Sequence, residues 1–126
     1  MSNRVYYKNG IIYQHADIGG LTVESLKEDL EDLLKIQAEL EKQNLPLYLL
    51  YDGSNIKKTD TAVRAQALDN MSQLNYKRVA IIGIKSVFLQ QMAKLIIFGL
   101  RKKSKIKIFP SKEKAENWLR TGSARI

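Results

Sequence analysis

The sequence predicts an α/β domain, with a mixed, mostly parallel sheet of about five strands, an N-terminal antiparallel hairpin and about four helices. Three observations carry that expectation. Short apolar runs at Leu47 to Tyr51, Val79 to Ile84 and Ile106 to Phe109 alternate with helical stretches long enough to cross between parallel strands. The first two runs are apolar throughout rather than alternating, which is the pattern of strands covered on both faces. Asn9-Gly10 sits between two further strand-like runs, and both residues tolerate φ > 0, the strongest short-range hairpin signal.

Arg4 to Tyr7 and Ile11 to Ala16 are the two arms of that hairpin. Gly19-Gly20 breaks the second arm, and Thr22 stands where it caps a helix running to about Gln43, with Glu24 favourable in the first turn. Val23, Leu26, Leu30, Leu33, Leu34 and Leu40 follow the 3.6 period, which leaves Glu28, Asp29, Glu31, Asp32, Glu39 and Glu41 mostly for the solvent side. Asn44 and Pro46 end this helix, and Asp52-Gly53-Ser54-Asn55 closes the strand that follows. Asp60 is the expected cap of a second helix through Leu74. The helix from Val87 to Leu100 is apolar almost all round, more than one face of a surface helix can use. Pro110-Ser111 turns the chain into a last helix in which Ala115, Trp118 and Leu119 share a face, and the tail from Thr121 is expected to fray.

The chain of 126 residues is one domain, large enough to bury a core without covalent staples. With no Cys and one His, a Cys nucleophile, disulfides and zinc sites built on Cys or several His are excluded; no metal or cofactor is expected. No stretch reaches the ~18 apolar residues of a membrane span, since Gln90, Gln91 and Lys94 interrupt the best candidate, and Met1-Ser2-Asn3-Arg4 opens no signal peptide. A cytoplasmic location is the default expectation. The net charge of +8 is unevenly spread: residues 1–75 carry 8 Lys+Arg against 11 Asp+Glu, whereas residues 76–126 carry 13 against 2. Such asymmetry suits an anionic partner, or simply a solvated basic surface.

Two surfaces and one strand edge attract functional readings. On a helical wheel, Phe88, Leu89, Met92, Leu95, Ile96 and Leu100 form a face wide enough to cover the sheet, while Val87, Ile97 and Phe98 fall among Gln90, Gln91 and Lys94. Val87, Met92, Ile97 and Phe98 are therefore candidates for a homodimer interface, the wall of a lipid or apolar pocket, or a membrane-facing patch. Arg101, Lys102, Lys103, Lys105 and Lys107 beside this helix fit peripheral contact with acidic lipid, or phosphate. Nucleic acid is disfavoured, because Trp118 and Phe109 read as core, only Tyr76 is left to stack, and no nucleic-acid module is readable. At the carboxyl end of the central strand, where open α/β sheets place ligands, stand Asp52 and Ser54, with Asp60 and Thr61 at the next helix start. Asp52 is expected to order its own loop through backbone N–H groups. His15, Asp52 and Ser54 lack a nucleophile-elbow sequence, so no catalytic residues are assigned and the chain is read as a non-enzyme.

The order of elements, Gly20-Leu21-Thr22-Val23-Glu24-Ser25-Leu26 at the first helix, the strand ending in Asp52, Arg78-Val79-Ala80-Ile81-Ile82-Gly83, and Phe109 followed by Glu113, Ala115, Trp118 and Leu119 resemble the SpoIIAA-like proteins. These are bacterial single-domain relatives of the STAS fold, and the resemblance covers nearly the whole chain. It implies two modes of action. One is uptake of a hydrophobic or anionic, lipid-like ligand between helices and sheet, by the group's similarity to CRAL-TRIO lipid-binding domains. The other is a regulatory switch like that of anti-sigma-factor antagonists, in which a residue beside an Asp at the second helix is phosphorylated and a protein partner binds accordingly. The matching position is Thr61, in Asp60-Thr61-Ala62-Val63-Arg64, where the family phrase has Asp-Ser followed by small residues and Gly.

Overall fold

The computed structural model describes residues 3–99 and 105–123, apart from the side chains at 88, 89, 92, 95 and 96. Its elements are β1 (Val5–Lys8), β2 (Ile11–His15), α1 (Val23–Lys42), β3 (Tyr48–Asp52), α2 (Thr61–Gln73), β4 (Arg78–Ile82), α3 (Val87–Gly99), β5 (Ile106–Ile108) and α4 (Lys112–Thr121). The strands lie side by side in chain order, β1 and β2 antiparallel and every later neighbour parallel. Since each crossover adds the next strand on the same side of the last, right-handed connections put α1, α2 and α3 on one face of the sheet. The last helix, α4, covers the other.

Local chemistry sets the element ends. Asn9 and Gly10 have φ of 51° and 84°, the left-handed pair that a two-residue hairpin requires. Thr22 caps α1 by accepting the N–H of Ser25 at 3.0 Å, and Ser25 Oγ accepts the Thr22 N–H at 3.1 Å, closing a capping box. Asp60 caps α2 by accepting the Val63 N–H at 2.8 Å. The apolar run expected to extend to Ile84 pairs only as far as Ile82, because Gly83 turns to φ +80°. A Cβ at Gly83 would lie 2.6 Å from Asp52 Oδ1 and 2.8 Å from the Ser54 nitrogen, so glycine is required there both for its backbone and for its lack of bulk.

One expectation about α1 is corrected here. Asp29 and Asp32 of α1 are buried, not on the solvent side. Asp29, 1% exposed, is held by Arg4 Nε at 3.0 Å and by Gln14 Nε2 at 3.2 Å, so a partner from β2 and another from just before β1 make the buried carboxylate tolerable. Gly122, at φ 75°, donates its N–H to the Trp118 carbonyl at 2.7 Å, and Arg78 Nη1 donates to the Leu119 carbonyl at 2.8 Å, which together satisfy the end of α4.

The alternation of strand side chains divides the core in two. Ile12, Leu49, Val79 and Ile106 face α1 and α2 together with Leu33, Leu40 and Leu74. Ile11, Tyr13, Leu50 and Ala80 face α4 and meet Ala115, Trp118 and Leu119. Tyr76, expected to be free for stacking, is buried with the first group.

Candidate functional site

The carboxyl ends of β2 and β3 are in register, His15 opposite Asp52. Asp52 Oδ1 accepts from the Ser54 backbone N–H at 2.9 Å and from Ser54 Oγ at 2.7 Å, while Oδ2 lies 3.4 Å from His15 Nδ1. On the far side of the imidazole, Nε2 is 3.2 Å from the Tyr6 hydroxyl, and the Tyr6 ring stacks against His15 and Tyr13. The row therefore runs Ser54, Asp52, His15, Tyr6. In a hydroxyl-nucleophile triad the imidazole stands between hydroxyl and carboxylate. For Ser54 the carboxylate stands between hydroxyl and imidazole, so its hydroxyl donates to Asp52 and not to His15, while the imidazole stands between Asp52 and the Tyr6 hydroxyl. Partial burial would raise the Asp52 pKa, but the Ser54 hydroxyl and N–H, with His15, outweigh it and hold the carboxylate below its ordinary value.

Asp60 and Thr61 belong to a different neighbourhood. Asp60 is engaged as the α2 cap, and Thr61 is an exposed first residue of that helix whose hydroxyl lies 3.4 Å from Arg64 Nη2. No hydrogen bond or ion pair among the described residues joins this pair to Asp52 or Ser54.

Behind that edge, between the sheet and α1, α2 and α3, lies a cavity of about 130 Å³. Leu49, Tyr51, Val79, Ile81 and Ile106 form its floor; Leu26 and Leu33 of α1, Ala67 and Met71 of α2, and Ala93 and Ile97 of α3 form its roof. Tyr51 and Ile81 lie on interior strands, where both faces should be sealed, yet they are only half-buried because they border this space. Burial and the nearby carboxylates of Asp29 and Asp52 push the Tyr51 hydroxyl pKa upward, so it stays protonated and a donor. Among the described residues the polar side chains of the lining are Gln14, Tyr51, Thr59, Arg64 and Asn70.

The patch expected on α3 separates into two groups. Val87 and Phe98 are 73% and 63% exposed, whereas Ile97 turns inward to the cavity and packs against the core below α1 and α2. Ile97 borders the arc of Gln90, Gln91 and Lys94 on the wheel, and of the expected places for the patch it takes the wall of an apolar pocket. Met92 is among the side chains outside the description, as are Arg101, Lys102 and Lys103 of the basic run. Lys105 is exposed, and Lys107, on β5, holds its ammonium 5.4 Å from the Trp118 ring centre. Among the described residues no three His, Asp or Glu side chains converge where a metal ion could sit, and no helix is long and apolar enough to cross a membrane.

Sequence reasoning passed over Arg64. The signal was available: Arg64, Ala67 and Met71 fall at i, i+3 and i+7, so the inward stripe of α2 begins with a cation. Thr59 and Ile56 had no such signal, since loop residues carry no period.

Comparison with known proteins adds one match. A family model described as a domain of unknown function, DUF7793, covers residues 5–123. No curated protein matches the sequence.

Proposed function

The chain belongs to the DUF7793 family, and from its own geometry we propose that it is a non-enzymatic binding domain of SpoIIAA-like, STAS-type fold that takes up a hydrophobic small ligand between the sheet and α1, α2 and α3. The observation that carries this reading is the cavity of about 130 Å³ with its nearly continuous apolar lining. A ligand that fills it recovers the missing contacts. The cavity also reaches the carboxyl edge of the parallel strands, the usual ligand position in open α/β sheets.

Native mass spectrometry of protein purified without detergent, paired with solvent extraction of the same sample, tests the reading. The expected result is an adduct that extraction removes and identifies as an apolar or amphiphilic molecule. A dimer that carries no adduct and takes up no apolar probe would overturn it and make Val87 and Phe98 an interface instead.

A second reading has one observation in its favour. Thr61 is exposed at the start of α2 with Arg64 beside its hydroxyl, so a phosphate there would meet both a cation and the helix N-terminus. Phosphopeptide mapping of the protein from its native cells should then find phosphothreonine at position 61; its absence across growth conditions would remove this reading.

A further inference from the structure

The cavity has a polar end and an apolar end. Strands β2 to β5 are parallel, so the segments carrying Leu21, Ile56, Thr59 and Ile84 and the first turn of α2 all gather at one edge of the sheet. Arg64 is at that edge, half-buried. The opposite end is formed by Leu33, Leu49, Val79, Ile97 and Ile106.

The polar side chains of the lining differ in how far the protein already uses them. Gln14 donates to Asp29, and Asn70 donates to the Leu26 carbonyl and accepts from Gln66. Among the described residues Arg64 donates its guanidinium to neutral hydroxyls, Thr59 Oγ1 at 3.1 Å and Thr61 Oγ1 at 3.4 Å. Among the described residues no carboxylate lies within ion-pairing distance of it. Arg64, a residue that lines this apolar space and meets no carboxylate among the described residues, is suited to bidentate recognition of an anion.

Resting on the ligand-binding reading above, we infer that the ligand is a single-chain amphiphile whose carboxylate docks on Arg64 while its alkyl chain runs between the sheet and α2 and α3 toward Val79 and Ile106. One guanidinium matches the single charge of a carboxylate. A phosphate monoester would bring up to about two negative charges beside the Asp60 cap. The two Thr hydroxyls hold the guanidinium without neutralising it, which keeps its charge for the ligand.

Calorimetric titration of the full chain with decanoate and with decanol at pH 8 tests the head group separately from the tail. Wild-type protein is expected to bind decanoate about ten- to a hundred-fold more tightly than decanol, the range of a hydrogen bond to a charged group. Arg64→Gln should keep decanol affinity and lose the preference for the acid, whereas Arg64→Lys should retain part of it. Circular dichroism and thermal melting of each variant establish that the fold is intact. Equal binding of both probes by wild type, or an unchanged preference in Arg64→Gln, overturns the head-group assignment and leaves the cavity reading standing. Binding of neither probe overturns both. Ala67→Leu, which takes up cavity volume while keeping the Arg64 side chain, should abolish binding of both; unchanged decanoate binding in that variant would move the site elsewhere and overturn the inference.

Discussion

Below α4 the sheet is closed by a helix of 10 residues, while the opposite face, under three helices, is left hollow. On the closed face Ile11, Leu50, Ala80, Ala115 and Leu119 retain no more than 1% exposure, with Trp118 filling the space between them and Phe109. On the other face Tyr51, Ile81 and Ile97 remain half-buried around the cavity. The hollow does not come from a shortage of cover. Two of the described side chains that face the space are small, Ala67 on α2 and Ala93 on α3. The two faces teach that covering a sheet and filling the layer beneath the cover are separate properties, and that the second depends on side-chain volume.

The largest expected effect breaks the comparison most directly. Ala80→Leu adds volume to the closed face and should destabilise by about 1–3 kcal/mol, the usual cost of overpacking a filled core. Ala67→Leu adds the same volume to the hollow face and should be neutral or stabilise by about 0.5–2 kcal/mol, as cavity filling does. Urea unfolding of the two variants beside wild type measures both. If they lose similar stability, the hollow is filled in solution by rearranged side chains and the faces are alike.

The smallest effect sharpens the comparison at the edge the faces share. The Asp52 carboxylate is held below its ordinary pKa by Ser54 and His15 against the cost of burial, so its contribution to stability is present above about pH 4. That contribution is lost as the pH falls through the depressed native value. The gap in urea midpoint between wild type and Asp52→Asn should therefore hold from pH 7 to about 5 and close at more acid pH. A gap that persists in acid would mean that the side chain acts through its shape rather than its charge.

The sequence by itself determined the order of elements, because each rests on local chemistry: the Asn9-Gly10 turn, the Thr22 and Asp60 caps, the unbroken apolar runs of β3 and β4, and the shared face of Ala115, Trp118 and Leu119. It also marked Asp52 as the organiser of its loop, since an Asp at a strand end bonds backbone only two residues away. Tertiary structure alone decided what depends on distant partners. Asp29 reads as a surface acid until Arg4 and Gln14 meet it from the hairpin. Ile97 reads as an outer residue because it borders the arc of Gln90, Gln91 and Lys94 on α3, and only the packing turns it to the cavity. The cavity, and the place of Arg64 at its polar end, exist only where a sheet and three helices fail to fill the volume they enclose, and no periodicity along one segment encodes a volume shared by four.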